Sequence, residues 1–252
     1  MNVKTLVTAI IGIAALMTTA SIRAAEIKVL ASNGVKAALD ELAPVFERAS
    51  GNKLVITFGL AAVLKRQIEG GEAFDLAILT SAGIDDLAKQ GKVDAASRAA
   101  IARSGVGIGI KKGGARPDIG TADALKRTLL AAKSVSWAKE GQSGIYFASL
   151  LERMGIAEQM KPKVVLASSG DEVRKLLAEG KAEYGALLVN ELMGVPGVEV
   201  LGPLPPELQN FTVFHAGVGV GSKDSSAAKA LIQFLTTPSA GAVFKAKGQE
   251  PG

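Results

Sequence analysis

"IKVLASNGVKAALDELAPVFERASGNKLVITF", residues 27–58, carries the pattern that decides the fold. "IKVLA" (27–31) and "LVITF" (54–58) are β-rich runs, and the segment between them has helical periodicity from Gly34 to about Ala49. Val35, Ala38, Leu39, Leu42, Val45 and Phe46 recur at three- and four-residue spacing, so one face of that helix is apolar. A further helix and the run "FDLAIL" (74–79) follow, then a helix from about Ala82 to Gln90. Strand, helix and strand in alternation imply a mostly parallel sheet covered by helices.

The alternation continues beyond a long glycine-interleaved strand, "RSGVGIGI" (103–110). A helix over 121–132, the strand "SVSW", a helix from about Gly144, the strand "KVVLA", a helix from about Gly170 and the strand "YGALLV" form a second series. After the proline-rich stretch "GPLPPELQN" (202–210) comes a second glycine-interleaved strand, "FTVFHAGVGVG" (211–221), and then two terminal helical segments. Two such strands bracketing an α/β block predict two lobes joined by two crossovers. Lobe one takes 26–104 plus 213–252, lobe two takes 105–212, and hinge motion is expected at 103–106 and 211–217.

The N-terminal "MNVKTLVTAIIGIAALMTTASIRAA" has one early charge, Lys4, then an apolar stretch and small residues. That is the layout of a secretory signal peptide over 1–25, and the apolar core is too short to span a bilayer. Removing Lys4 and Arg23 leaves 27 basic against 24 acidic residues, a charge of +3. The chain has no cysteine and one histidine, which excludes thiol catalysis, cysteine-bound metals and multi-histidine metal sites. Its basic residues are dispersed without interleaved aromatics, so no nucleic-acid surface is expected. No cofactor motif is present either, since the glycine-rich runs lie within strands rather than at strand-to-helix turns.

Open α/β sheets bind ligands beyond the carboxyl ends of their strands, where the next helices begin. Four such junctions are built from small residues: "ASNG" (31–34), "FGLAA" (58–62), "GQSG" (141–144) and "SSG" (168–170). At "FGLAA" no side chain is available to cap the first turn, and free helix N–H groups attract anions. The candidate binding residues are therefore Asn33, Gly34, Leu60, Ala61, Ser143, Gly144 and Ser169. Arg103, at the first crossover, is the candidate cation for a carboxylate or other oxyanion. If the site is catalytic, Tyr146 and His215 are the foremost acid–base candidates. Asp171 and Glu191 in lobe two are the further acid–base candidates, although they also read as ordinary charges at a helix start and on an exposed face.

These junctions, in this order, resemble the periplasmic binding proteins of ABC importers with the type II fold, especially their molybdate-binding branch. "LKRQIEGGEAFDLAI" is similar to that branch's "LxRQIExGxxxDLxI" signature, and "GQSGIYFASLLERMGI", "DEVRKLLAEGKAEYGAL" and "ALIQFLTTPSAGAVFKAKG" resemble its later blocks. The resemblance implies a monomer in the periplasm that closes around a small anion and delivers it to a membrane permease. It places Ser143 and Val173 at positions whose backbone N–H groups contact the oxyanion. Gly34 and Ala61 stand where the branch has serines, and Leu188 where it has a tyrosine. Loss of those groups leaves backbone donors and predicts room for a larger organic acid. The scaffold also includes a periplasmic aconitate isomerase, which makes isomerisation of a tricarboxylate the alternative function.

Overall fold

The computed structural model describes residues 24–252, so the signal-peptide reading falls largely outside the described residues. The first αβ series forms as expected. β1 (Glu26–Ser32), α1 (Lys36–Ser50), β2 (Lys53–Gly59), α2 (Ala61–Glu69), β3 (Leu76–Thr80) and α3 (Ser81–Lys89) follow one another along the chain. β1 lies between β2 and β3 and is parallel to both. Helix α1 buries Ala38, Leu39, Leu42 and Phe46. Val45, assigned to the same face from its spacing, is instead 40% exposed. It lies at the margin of the apolar stripe, where a 3.6-residue repeat turns the side chain toward water.

β4 (Ala99–Lys111) is the longest strand and joins two half-sheets. It is followed by α4 (Ala122–Ala131), β5 (Val135–Ala138), α5 (Gln142–Arg153), α6 (Ala157–Met160), β6 (Val164–Ala167), α7 (Gly170–Glu179), β7 (Tyr184–Leu188), α8 (Val189–Leu192) and β8 (Val198–Pro203). β9 (Phe211–Val218), α9 (Ser225–Leu235), α10 (Pro238–Ala246) and β10 (Glu250–Pro251) complete the chain. The strand order is β2-β1-β3-β9-β4-β7-β5-β6, with β8 and β10 also on β4. The partner of β4 changes from β9 to β7 between Gly105, opposite Phe211, and Val106, opposite Leu188.

Four elements were not distinguished by sequence pattern. The last residue of "YGALLV" opens the short helix α8, α6 is a single turn, β8 runs into the proline-rich stretch, and β10 is two residues long. α6, α8 and β10 are too short for periodicity to separate them from a loop, and the six residues of β8 end within prolines that obscure a strand pattern. β4 starts at Ala99 rather than Arg103 because Ala99 and Ala100 pair with Ala216 and His215. The core is continuous across both half-sheets, with Phe147, Phe214 and Phe244 among its largest fully buried side chains. Among the described residues, no helix is long and apolar enough to cross a membrane.

Candidate functional site

Parallel strands end at the same edge of a sheet, so the helices that follow them start close together. Here that geometry gathers Ser32, Asn33 and Gly34 after β1, Leu60 and Ala61 after β2, and Thr80 at the end of β3. From the other half-sheet come Ala138, Gly141, Gln142 and Ser143 around the start of α5, Gly170 at the start of α7, Leu187 and Leu188 at the end of β7, and Glu191 of α8. Phe214 of β9 completes the lining. The enclosed space is ≈ 30 Å³ measured to the centres of waters, enough for about two of them.

Helix capping distinguishes the junctions. Thr80 caps α3, Thr121 caps α4, Ser169 caps α7, Asp224 caps α9 and Thr237 caps α10, each by accepting a backbone N–H. No side chain caps α2 or α5. In α2 the first intrahelical bond runs from Leu64 N to Leu60 O, and in α5 from Ile145 N to Gly141 O. The N–H groups of residues 61–63 and 142–144 therefore precede the helical ladder, and each set carries the positive end of a helix dipole. The α2 start from one half-sheet and the α5 start from the other line the same cavity.

Two glycines permit this closeness. A Cβ on Gly144 would lie 2.1 Å from the Ala138 carbonyl oxygen, so only glycine lets α5 begin directly against the end of β5. A Cβ on Gly34 would lie 2.3 Å from the ring of Phe214. The space expected at Gly34 for a larger ligand is therefore filled by that ring. The Gly34 carbonyl accepts hydrogen bonds from Asn190 Nδ2 at 2.8 Å and Gln249 Nε2 at 3.1 Å, tying the first loop to α8 and to the C-terminal segment. At the rim, Arg66 of α2 donates to Glu140 before α5 at 2.7 Å, and this bond holds the Glu140 carboxyl below its usual range.

Of the residues expected at a site, Asn33, Gly34, Leu60, Ala61 and Ser143 line the cavity, with Leu188 beside them. Gly144 supports it from behind. Ser169 is committed to its own helix, accepting from Glu172 N. Val173 is fully buried, and its N–H is donated to Ser169 O within α7. Arg103 is not brought to the cavity. It pairs with Glu250, its Nε donating at 2.7 Å, lies over the ring of Phe211 and lines a separate groove.

Neither Tyr146 nor His215 reaches the cavity. The Tyr146 hydroxyl donates to Leu208 O at 2.8 Å and accepts from Arg153. His215 is buried on β9 between Leu79 and Ala100, and burial together with the Arg98 charge keeps its pKa below the ordinary value. Glu191, a lesser acid–base candidate expected on an exposed face, instead lines the cavity and is the one ionisable side chain among the described lining residues; Asp171 is not among them. The position of Glu191 follows from the unpredicted helix α8, which turns the chain back across the strand ends. Thr80 and Phe214 were also missed. Thr80 reads as an ordinary cap for α3, a role it does fill by accepting from Gly83 N, and Phe214 comes from a crossover strand with no binding signature.

Solved structures of known proteins share this fold. The Azotobacter vinelandii periplasmic molybdate-binding protein superposes with a TM-score of 0.76 at 18% identity, covering 90% of this chain and 99% of that one. The sulfate-binding protein SubI from Mycobacterium tuberculosis H37Rv gives 0.74 at 20% identity, covering 90% and 87%. In sequence, the chain is 28% identical to an aconitate isomerase from Pseudomonas sp. over 88% of this chain and 87% of the relative. It is also 28% identical to the molybdate-binding protein ModA of Azotobacter vinelandii, over 90% of each. A family model described as bacterial extracellular solute-binding protein matches residues 27–250, and the chain belongs to that family.

Proposed function

We propose that this protein is the periplasmic binding component of an ABC importer and captures a compact anion between two lobes. The lobes are residues 26–104 with 213–252, and residues 105–212, joined where β4 changes partners and where β9 returns. The observation that carries the reading is the convergence of two uncapped helix starts, α2 and α5, on one enclosed cavity. Charge-assisted hydrogen bonds are worth about 1.5–3 kcal/mol each. Four to six amide donors would then supply the roughly 8 kcal/mol of micromolar binding. The small volume favours a tetrahedral oxyanion or a single carboxylate head, and a tricarboxylate requires the lobes to move apart. Closure would present the loaded form to a permease.

A thermal-shift panel of molybdate, tungstate, sulfate and organic acids tests the reading. An anion at 100 times its Kd should add about 2.7 kcal/mol of stability. No shift with any of them, at concentrations up to tens of millimolar, would overturn it. A second reading, isomerisation of an unsaturated tricarboxylate, is favoured by the aconitate isomerase relative and by a carboxyl group inside the cavity. Incubating the protein with cis- or trans-aconitate and following their interconversion separates the two, because a carrier binds without turnover.

A further inference from the structure

Among the described residues, a cavity lined by neutral amide donors contains one ionisable side chain, and that side chain is an acid. Glu191 enters the lining from α8, and Leu188 N approaches its Oε2 at 3.4 Å, a weak contact. Arg174 is the nearby cation, but its guanidinium is committed elsewhere. One nitrogen pairs with Asp171, and another reaches the main-chain oxygen of Glu191 rather than the carboxyl. Asp171 and Arg174, both on α7, are the charged groups acting on Glu191. The residues that β1, α2, β3, α5 and β9 contribute to the lining are uncharged. An ionised Glu191 would repel any anion held by the α2 and α5 amides.

We propose that Glu191 is a specificity-determining proton donor. The cavity takes an anion together with one proton from solvent, and the protonated carboxyl donates that hydrogen to an anion oxygen. Binding transfers no other atom, and the proton returns to solvent when the anion leaves. The proposal rests on the anion-capture reading. Burial acts in the same direction, raising the affinity of the carboxyl for its proton against the opposing effect of Arg174. It follows that the site prefers fully deprotonated anions that accept hydrogen bonds at every oxygen. It also follows that affinity falls with rising pH once the free carboxyl ionises, by up to about tenfold per pH unit for one linked proton.

Calorimetric titration with sodium sulfate and sodium molybdate, from pH 5.5 to 8.5 in two buffers of different protonation enthalpy, counts the protons taken up. The expected result is an uptake approaching one proton per anion at the alkaline end, with weakening affinity. In Glu191→Gln the uptake should vanish and the pH profile flatten, because the amide donates a hydrogen bond at every pH. Anion binding without proton uptake by the unmodified protein would overturn the role of Glu191 and leave anion capture standing. Binding of neither anion, nor of any acid in the thermal-shift panel, would overturn both. The proton count on the unmodified protein does not depend on how well the variant folds.

Discussion

The start of α5 reads "GQSG" and the start of α7 reads "SSG", and both follow a short parallel strand of the same half-sheet. In the fold they have opposite character. At α7 the protein satisfies its own donors, since Ser169 accepts from Glu172 N and the Glu172 carboxylate accepts from Ser168 N and Oγ. At α5 no side chain does so, and Gly144 presses the helix against the Ala138 carbonyl. α2, across the cavity, shares the bare character of α5. A helix start offers an anion site only where its amides are both unclaimed and turned toward enclosed space.

The strongest way to break the comparison is a methyl group. Gly144→Ala places its Cβ against backbone and should destabilise the fold by about 2–4 kcal/mol in urea unfolding. Gly170→Ala, whose Cβ would meet nothing nearer than 3.5 Å, should be neutral or mildly stabilising. Equal effects would show that α5 has the same freedom as α7.

Supplying the missing cap should separate stability from binding. Leu60 already has the extended backbone of an N-cap residue, so Leu60→Asp would accept from the α2 amides and gain about 1 kcal/mol of stability. The same carboxylate would occupy the anion's place, and affinity for the anion identified in the thermal-shift panel should fall by at least about tenfold, or ~1.4 kcal/mol. Rising stability with unchanged affinity would mean that the α2 amides do not contact the ligand. The converse experiment, Ser169→Ala, removes an existing cap. It should cost about 1 kcal/mol of stability in the same unfolding assay and leave anion affinity nearly unchanged.

The smallest effect concerns His215, which lies off the cavity. Its folded pKa is depressed below the ordinary 6.5, so above that pH neither state is protonated and the residue is neutral to stability. As pH falls below it the unfolded chain takes up a proton first, and stability declines. Thermal unfolding of His215→Gln should show a shallower loss between pH 6.5 and 5 than the unmodified protein. Binding of the thermal-shift anion should be unaffected by the change.

The alternation in 27–79 was sufficient to read the first half-sheet, because a buried parallel strand and an amphipathic helix have different apolar periods. The four small junctions were equally legible, and residues from each of them reach the cavity. Their relative importance was not legible. Ser168 and Ser169 look like ligand donors until Glu172 is seen to fold back on them, and Arg103 looks like an anion clamp until β10 brings Glu250 to it. Glu191 was misplaced because α8 is a single turn, too short to have a period.

By itself, then, the sequence determined the order of the longer strands and helices, the positions of the small turns and the exclusion of cysteine chemistry and multi-histidine metal sites. These depend on neighbours a few residues apart. Tertiary structure alone decided which helix amides remain free, that Phe214 fills the space above Gly34, and that one acid stands among neutral donors. Those outcomes depend on groups distant in the chain that meet only when the strands take their final order.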